Sequence, residues 1–576
     1  MQCLLLLGLT LASSVAEVVS LGAIVPFIGI LTNPDRVFVS PTISWAVRAL
    51  DLSTGADLVL PITVAFAFSA LAAGGLRVLL LSTSIRLGNA IGADLSIEAY
   101  RRTLYQPYRV HVARSSSEII SGITQKVANA TAVLVALAAV VTSAVLMSAI
   151  MITLLVIDPG IAGASMAAFG TGYALIAWSA RRRLARNSQS IPRDQTTVVK
   201  NLQEGLGAIR DVLLDGTQEL YCETYGRAIR QLQRATGENA FINQSPRFAM
   251  ETLAMVLVAV LAYSISSRAA DVGTALPVLG ALGLGAQRLL PLLQQLYGNW
   301  AIVAGNQGTI ADVLVLLDQP VEAEASDPPP APMPFQTAIA FDQVSFRYTT
   351  AGPLVLDDIN LVIRRGARIG LIGTTGSGKS TTLDLLMALL EPTHGAIVVD
   401  GVRITSRNRR AWQRAVAHVP QSIYLSDASV AENIAFGIQK DQIDMSRVRL
   451  AASQAQLAEF IESGPDQYDT VVGERGIRLS GGQRQRIGIA RALYKQATVL
   501  IFDEATSALD GATESAVMDA IDSLRNDLTI LMVAHRVTTL RLCENIVQLE
   551  RGRIVAQGSY AYFQERGFQA LTRVEA

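Results

Sequence analysis

Long apolar stretches dominate the first half of the chain, and six of them are long enough to cross a bilayer as helices. They lie near residues 3–31, 57–83, 132–157, 161–180, 248–267 and 275–297. A helix needs about 20 predominantly apolar residues to span the hydrocarbon core of a membrane. Asp158-Pro159-Gly160 separates the third and fourth stretches and favours a tight turn. The pattern therefore predicts an all-α domain of six spans.

Basic residues near the span ends predict the orientation of this domain. The fourth span is followed directly by Arg181, Arg182, Arg183 and Arg186. The turn at Asp158 carries no basic residue. Because basic residues favour the cytoplasmic side, loops 86–131 and 181–247 and both chain ends are predicted to be cytoplasmic. Apolar and charged faces alternate with helical spacing over 207–232, so these loops are expected to continue the spans as helices.

Two further segments of the first half have their own signals. The start of the chain is too long an apolar stretch for a signal peptide and is interpreted as the first span. Residues 40–50 place Ser40 as an N-cap before Pro41, which predicts either a short amphipathic helix on the outer membrane surface or an ordered loop.

The second half has a different composition and begins after a proline-rich segment. Residues 319–337 contain the run of prolines and are predicted to be a linker, because proline cannot continue a helix. This divides the chain into a transmembrane domain over 1–318 and a second domain over 338–576. "VSFRY" (344–348) alternates as a strand does, and mixed strand and helix patterns follow. The second domain is therefore predicted to be a soluble α/β domain.

Composition supports this division and excludes some functions. Half of the residues are hydrophobic and 17% are charged, against about 25% charged in a typical soluble domain. The 48 basic and 48 acidic residues balance, which gives no indication of nucleic-acid binding. The three cysteines, Cys3, Cys222 and Cys543, are too far apart in sequence to indicate a disulfide framework or a metal site.

A glycine-rich loop in the second domain predicts phosphate binding. "GLIGTTGSGKSTTLDLLMALL" (370–390) follows an apolar strand and opens a helix, as a phosphate-binding loop requires. Its candidate phosphate-contacting residues are Gly373, Thr374, Thr375, Gly376, Ser377, Gly378, Lys379, Ser380 and Thr381. Backbone N–H groups and the helix N-terminus supply positive potential. Lys379 is expected to reach the terminal phosphates and Ser380 to bind Mg²⁺.

A second motif, which is acidic, completes the predicted hydrolytic site. "TVLIFDEATSALD" (498–510) is an apolar strand that ends in Asp503 and Glu504. Asp503 is suited to a second Mg²⁺ contact, and Glu504 to polarising an attacking water. Acidic residues also end strands for structural reasons, but the glycine-rich loop upstream favours the catalytic interpretation.

Between these two motifs the chain resembles the ATP-binding cassette (ABC) transporters. "RLSGGQRQRIGIARAL" (478–493) contains the signature motif of that family at Ser480, Gly481, Gly482 and Gln483. Gln421 resembles the family's glutamine-loop residue, which binds Mg²⁺, and Tyr348 the aromatic residue that stacks on adenine. His535 resembles the switch histidine. "SALD" (507–510) and "TVVGERG" (470–476) resemble the dimer-seam loop and the stretch that exporters place ahead of the signature.

The resemblance implies a fold, an activity and a partner. The fold implied is a six-helix transmembrane domain of the exporter type followed by an α/β nucleotide-binding domain. The catalytic residues carried over are Lys379, Glu504 and His535, with Asp503, and the cofactors are ATP and Mg²⁺. With one cassette and six spans the chain resembles a half-transporter, which works as a dimer. A homodimer is the simplest interpretation, and a heterodimer stays open.

The same resemblance implies how ATP binding is coupled to the spans. Short cytoplasmic helices near 107–117 and 211–222 are expected to transmit closure of the cassettes. Exporters of this type begin with an amphipathic helix ahead of the first span. This chain starts almost inside that span, so either the element is absent or the true start lies upstream.

Three arginines in or near the spans are candidates for substrate binding. They are Arg288 in the sixth span, Arg247 at the mouth of the fifth and Arg77 in the second. A charge at bilayer depth is costly unless it faces a polar cavity or a partner, and guanidinium groups suit phosphate. The alternative is structural pairing, because Glu251 lies one helical turn from Arg247 and Glu17 lies in the first span.

Short stretches of the membrane half resemble bacterial flippases of polyprenyl-pyrophosphate-linked oligosaccharides. They are 16–28, 245–253 and 287–293, with the external segment 40–50. In that subgroup basic cavity residues are thought to engage the pyrophosphate, and Arg247 and Arg288 match such positions. Where the subgroup carries a further basic residue in span six, this chain has Gln294 and Gln295, which weakens the cluster.

Three functions follow as hypotheses. The first is ATP-driven flipping or export of a lipid-linked oligosaccharide across the bacterial cytoplasmic membrane. The second is export of lipids, drugs or other amphipathic molecules. The third is an ATP-gated membrane protein that does not pump. Net transport that requires hydrolysis separates the first two from the third.

Overall fold

The computed structural model describes most of the chain and divides it into two compact units. The described residues are 2–32, 54–157, 159–268, 272–321, 328–504, 511, 514–517, 528–533 and 539–566. The first unit contains residues 1–106 and 114–321, and the second contains 107–113 and 322–576. The predicted external segment 40–50 and the dimer-seam loop 507–510 lie outside the described residues, as does His535.

The first unit is entirely helical in its described residues. Its helices are α1 (Gln2–Gly22), α2 (Ile24–Thr32), α3 (Val59–Leu104), α5 (Ser116–Ser121), α6 (Val127–Ile157), α7 (Pro159–Gly207), α8 (Ile209–Leu214), α9 (Gln218–Arg268), α10 (Val272–Gly305) and α11 (Gln307–Leu317). A 3₁₀ turn, Gly55–Leu58, precedes α3, and a π-helical turn, Gly122–Lys126, joins α5 to α6. The short α4 (Tyr108–Ala113) belongs to the second unit.

Each of the six predicted spans lies on helix. By length and composition, two described stretches can cross a membrane: Gly55–Leu104 and Ser116–Thr153. A bent pair of helices, Leu289–Gly305 with Gln307–Leu317, would raise the number of such stretches to three if the pair forms one span. The first predicted span is divided into α1 and α2. The outer faces are strongly apolar, with Phe68 73% exposed. Apolar surface on this scale is suited to lipid rather than water.

Helices continue past the predicted ends of the second and fourth spans. Helix α3 runs on to Leu104 and α7 runs on to Gly207. The two short helices expected near 107–117 and 211–222 correspond to α4 and α8. The second expectation was placed too far along the chain, because α8 ends at Leu214 and α9 has begun by Gln218.

Helix α1 is polar on its buried side and apolar on its exposed side. Five buried polar residues recur at helical spacing: Thr10, Ser13, Ser14, Glu17 and Ser20. Leu4 and Leu11 are exposed. Helix α1 packs against α3 and α6. Because polar side chains are costly in hydrocarbon, this stripe lies inside the bundle, where neighbouring helices can provide partners.

The end of the first unit is held by two cations. Lys126 Nζ lies 2.6 Å from Asp312 Oδ2 and is itself buried. Arg102 donates to the carbonyl oxygen of Leu317, the last residue of α11. The last carbonyls of a helix lack intrahelical donors, so a guanidinium there satisfies them and complements the helix dipole. These contacts fix α11 to the helices that precede it in the chain.

The second unit contains two β-sheets. Its strands are β1 (Ala338–Phe346), β2 (Leu356–Arg364), β3 (Arg368–Ile372), β4 (His394–Val399), β5 (Val402–Arg403), β6 (Val416–Val419), β7 (Val499–Asp503), β8 (Thr529–Val533), β9 (Asn545–Glu550) and β10 (Arg553–Gly558). The larger sheet has the order β10-β9-β3-β8-β7-β6, parallel except for β10, and the smaller, antiparallel sheet has the order β2-β1-β4-β5.

Apart from α4, the described helices of the second unit pack into its two hydrophobic cores. After α4 they are α12 (Lys379–Leu386), α13 (Arg409–Ala415), α14 (Val430–Ile434), α15 (Met445–Gln454), α16 (Ala458–Glu462), α17 (Gly481–Tyr494) and α18 (Tyr560–Glu565). Alternate residues of β7 pack into different cores: Val499 and Ile501 into one, Leu500 and Phe502 into the other. Both faces of the parallel sheet are therefore buried, which explains the continuous apolar run that precedes Asp503.

The end of the proline-rich segment packs on the second unit. Phe335 is 3% exposed and its ring meets Trp412 edge-on at 6.2 Å. Met333 donates its backbone N–H to the carbonyl of Ala411 at 2.9 Å. The sequence predicts a linker over the whole of residues 319–337. Phe335 lies beyond the proline run and is a core residue, so the last part of the segment is fixed to the domain.

Candidate functional site

The glycine-rich loop connects β3 to α12 in a conformation that requires glycine. Gly373, Gly376 and Gly378 have φ values of +153°, +78° and +104°, which favour a residue without a side chain. A Cβ at Gly373 would also overlap the carbonyl oxygen of Leu549. Helix α12 begins at Lys379, directly after the loop. The loop N–H groups and the start of the helix thus form a concave surface suited to phosphate.

Lys379 is buried beside this loop. Its Nζ donates to the carbonyl oxygens of Gly373 at 2.8 Å and Thr374 at 3.1 Å. Burial lowers the pKa of Lys379, and the nearby carboxylates of Glu504 and Asp503 oppose that shift. Negatively charged phosphate oxygens are stronger acceptors than carbonyls for an ammonium group. The lysine is therefore positioned to transfer these hydrogen bonds to a nucleotide.

Two hydroxyls of the loop differ in their surroundings. Ser377 Oγ is buried and has no hydrogen-bond partner among the residues that the structure describes. Ser380, at the start of α12, is exposed. A buried hydroxyl without a partner is uncommon. The loop thus holds polar capacity that a phosphate can satisfy, and Ser380 is accessible to a metal ion bound to that phosphate.

The acidic motif and Gln421 meet at the end of β7. Gln421 Nε2 donates to Glu504 Oε2 at 2.6 Å. Glu504 follows Asp503, the last residue of β7, and has a φ of +51°. A non-glycine residue with such a φ is uncommon and is found at functional sites. The structure thus joins three predicted site residues, with the glutamine orienting one oxygen of the carboxylate.

Tyr348 lies where an adenine-stacking residue is expected. It is 49% exposed, and its hydroxyl lies 3.2 Å from Thr381 Oγ1 on α12. The ring edge of Phe346 supports it, with centroids 5.0 Å apart. One side of the ring is therefore held in place beside the phosphate loop while much of it stays accessible to a base.

The signature motif caps α17. Ser480 Oγ accepts from the N–H of Gln483 at 3.2 Å, and Gln483 Oε1 accepts from the N–H of Ser480 at 2.8 Å. This reciprocal pair is a capping box. Gly481 and Gly482 form the first turn, so a phosphate can approach the helix N-terminus closely. The motif therefore presents a capped helix N-terminus that is separate in sequence from the loop of residues 373–381.

The three arginines differ in their contacts. Arg77 forms an ion pair with Glu17, which is fully buried, and it lines a cavity of about 560 Å³ between α3, α6 and α10. Arg247 Nε donates to Glu251 Oε1 at 2.7 Å. The backbone of Arg288 is part of α10, but its side chain is not among those that the structure describes. Both described arginines therefore have the acidic partners that the sequence suggested as the alternative to substrate binding.

His418 predicts acid sensitivity of the second unit. Burial lowers its pKa to about 4, against about 6.5 in an unfolded chain. The imidazole is neutral in the folded state, so its contribution to stability is complete above pH 6.5 and is lost as the pH falls towards 4. Between pH 7.5 and 4.5 we expect wild type to lose about 2 kcal/mol more unfolding free energy than His418→Gln. Urea unfolding at both pH values measures this, and equal losses in the two proteins would contradict it.

The second half of this chain matches a known family, and much of its length is similar to known proteins. Residues 356–507 match the family described as ABC transporter. An ATP-dependent lipid A-core flippase of Alkalilimnicola ehrlichii is 31% identical over 421 residues, covering 71% of this chain and 70% of that protein. A β-(1→2)-glucan export ATP-binding/permease protein of Rhizobium meliloti is 41% identical over 237 residues, covering 41% of this chain and 40% of that protein.

A solved structure matches almost the whole chain. It is that of a bacterial Atm1-family ABC exporter with ATP bound, with a TM-score of 0.77 and 25% identity, covering 96% of this chain and 98% of that one. The match includes both the helical unit and the α/β unit. The chain therefore belongs to the ATP-binding cassette transporters and is a half-transporter of their exporter type.

Proposed function

We propose that this chain, as a homodimer, uses ATP to flip or export a lipid-linked glycan with a polyprenyl-diphosphate anchor across the bacterial cytoplasmic membrane. The observation that carries the ATP-driven step is the hydrogen bond between Gln421 and Glu504. This hydrogen bond orients the Glu504 carboxylate, which follows β7 directly after Asp503. The negative charge of Glu504 opposes the lowering of the Lys379 pKa by burial. The chain ends and the ATP-binding domain are assigned to the cytoplasm.

The residues of the ATP site have separate roles in hydrolysis. Lys379 and the N–H groups of the loop bind the terminal phosphates. Glu504 accepts a proton from the attacking water, whose oxygen bonds to the γ-phosphorus while the bond to the β–γ bridging oxygen breaks. Ser380, Gln421 and Asp503 would hold Mg²⁺ through their side-chain oxygen atoms, and the ion would neutralise phosphate charge. His535 is assigned the switch role by resemblance to the family.

Two phosphate-binding motifs on one chain support the dimer. The loop of residues 373–381 contacts one side of a nucleotide, and the capped N-terminus of α17 is suited to a second set of phosphate contacts. ABC exporters act as dimers in which each nucleotide lies between the loop of one cassette and the signature motif of the other. A second copy of this chain provides both motifs, so two equivalent sites result.

The glycan part of the proposal is supported by the relatives and by the arginines. The two relatives are named for a lipid A-core and for a β-(1→2)-glucan. Arg77 has a 44% exposed side chain that lines the cavity of about 560 Å³. A diphosphate carries more charge than a single carboxylate, so it can recruit a guanidinium that is already paired. Arg288 and Arg247 are the further candidates.

ATPase activity in proteoliposomes tests this proposal. We expect a polyprenyl-diphosphate oligosaccharide to stimulate turnover, and Arg288→Ala to remove the stimulation while basal turnover survives. Arg182→Ala is a matched control, because this arginine is exposed on α7. Absence of stimulation in wild type would overturn the glycan substrate and leave the ATPase assignment standing.

One observation favours a second function, export of an amphipathic molecule. The cavity that Arg77 lines is largely apolar, with Leu80, Leu146 and Leu292 among its lining residues. A drug or lipid without a diphosphate fits such a surface. Stimulation by simple amphiphiles that equals stimulation by the glycolipid would favour this function.

A further inference from the structure

A separate small cavity lies between α7, α9 and α10. Its volume is about 260 Å³, and its polar lining residues include Tyr173, Asn243, Gln244, Gln294 and Tyr297. Pockets for drug-sized ligands occupy about 300–1,000 Å³, so this one has room for a single ring rather than a whole lipid head group. It shares none of its lining residues with the cavity that contains Arg77.

Two of the residues that line this cavity are tyrosines whose hydroxyls are buried without partners among the described residues. Tyr173 is 8% exposed and Tyr297 is 5% exposed. Neither hydroxyl has a hydrogen-bond partner among the described residues. Their rings lie against each other, with centroids 5.5 Å apart and planes tilted by 37°. Buried hydroxyls in native proteins are nearly always satisfied by protein, water or ligand. This pair therefore holds unused hydrogen-bonding capacity beside the cavity.

The remaining polar groups of the cavity are neutral. Asn243, Gln244 and Gln294 each carry a carboxamide with both donor and acceptor atoms. Asn243 reaches α10 because Gly298 has no side chain there, since a Cβ would lie 2.6 Å from Asn243 Oδ1. Pro246 lies inside α9 and lacks an N–H, which leaves the carbonyl of residue 242 without its helical donor.

Arg247 is the charged residue among the described residues of the lining, and it is paired. Arg247 Nε donates to Glu251 at 2.7 Å, on the same helix. Phosphate recognition uses positive charge and bidentate guanidinium contacts, and a diphosphate at Arg247 would have to compete with Glu251 for them. This cavity instead offers hydroxyls, carboxamides and aromatic rings. Such a set suits a ligand rich in hydroxyl and amide groups with an apolar ring face, which is the chemistry of a sugar.

We propose that this cavity binds one sugar ring of the transported glycan, with the hydroxyls of Tyr173 and Tyr297 as the selective contacts. The inference rests on the proposed function, because it assigns a subsite to that same substrate. Residues 243–248 lie at the predicted cytoplasmic end of the fifth span. The sugar nearest the lipid anchor is the one that this position suits. The cavity therefore distinguishes a glycosylated carrier lipid from the bare carrier.

Equilibrium binding to the full-length protein in nanodiscs tests the subsite. The probes are undecaprenyl diphosphate and undecaprenyl diphosphate N-acetylglucosamine. Wild type is expected to bind the glycosylated lipid about tenfold more tightly, from two hydroxyl hydrogen bonds. The double variant Tyr173→Phe/Tyr297→Phe is expected to bind both lipids equally. Tyr263→Phe is the control, because it lies on α9 with 77% exposure and outside the cavity lining.

Thermal unfolding and ATPase activity separate the outcomes. The double variant is expected to be at least as stable as wild type without lipid, because it removes two unpartnered buried hydroxyls. Equal binding of both lipids by wild type would overturn the subsite, and so would discrimination that survives in the double variant. If both lipids stimulate ATPase equally, only the subsite fails. If neither lipid binds nor stimulates, the subsite and the proposed function both fail.

Discussion

Replacing Glu504 with glutamine is expected to reduce ATP turnover at least about 100-fold and to leave ATP binding intact. A glutamine side chain has nearly the same shape and can still accept the hydrogen bond from Gln421. It cannot accept a proton from water. Lys379 and the phosphate loop, which hold the nucleotide, are unchanged. Phosphate release and equilibrium ATP binding measure the two effects separately.

A control shows whether the effect depends on the position of the carboxylate. Glu459→Gln makes the same chemical change at an exposed site on α16, and we expect turnover within about twofold of wild type. Turnover of Glu504→Gln within threefold of wild type would contradict the catalytic role. In that case the hydrogen bond to Gln421 would be structural, and the base would have to be sought elsewhere.

Arg77→Ala is expected to destabilise the first unit by about 2–3 kcal/mol. The substitution removes a guanidinium that the structure pairs with Glu17, whose side chain is fully buried. A buried carboxylate depends on its cation because it has lost the solvation of water. The expected loss is smaller than for a fully buried pair because the Arg77 side chain is 44% exposed. Thermal unfolding in detergent measures the change.

The double variant Glu17→Gln/Arg77→Gln separates the structural role from substrate binding. It replaces both charges with neutral groups that can hydrogen bond, so most of the lost stability should return. If Arg77 also binds the diphosphate, lipid stimulation of ATPase stays absent in this restored protein. A single Arg77→Ala variant as stable as wild type would contradict the importance of the ion pair.

The cassette could be predicted in detail because its signals are local. Gly373, Gly376 and Gly378 have positive φ angles, which favour glycine at each position. This requirement depends on the local backbone alone. The capping box of Ser480 and Gln483 likewise lies within four consecutive residues. The contact between Gln421 and Glu504 joins positions 83 apart in the sequence. Spacing alone could not predict it, and only the resemblance to a family assigned both residues to one site.

The membrane half was less predictable for a physical reason. Apolar windows locate spans, but they do not say which face of a helix is buried. Helix α1 illustrates this, because its polar residues are the buried ones. The pairing of Glu17 with a span arginine was a correct expectation, since a charge at bilayer depth needs a partner. The cavity formed by Tyr173 and Tyr297 depends on the packing of three helices. Its only signal in the sequence was polar residues within otherwise apolar spans.

ATP-dependent movement of a glycolipid across a membrane tests the central proposal most directly. The protein would be reconstituted in liposomes with outward-facing cassettes and a polyprenyl-diphosphate oligosaccharide in the outer leaflet. A glycosidase added outside cleaves only glycan in the outer leaflet. Glycan that has moved to the inner leaflet is protected from cleavage, so protection measures inward movement. We expect protection to increase with ATP for wild type and not for Glu504→Gln. Equal protection with and without ATP in wild type would contradict the account.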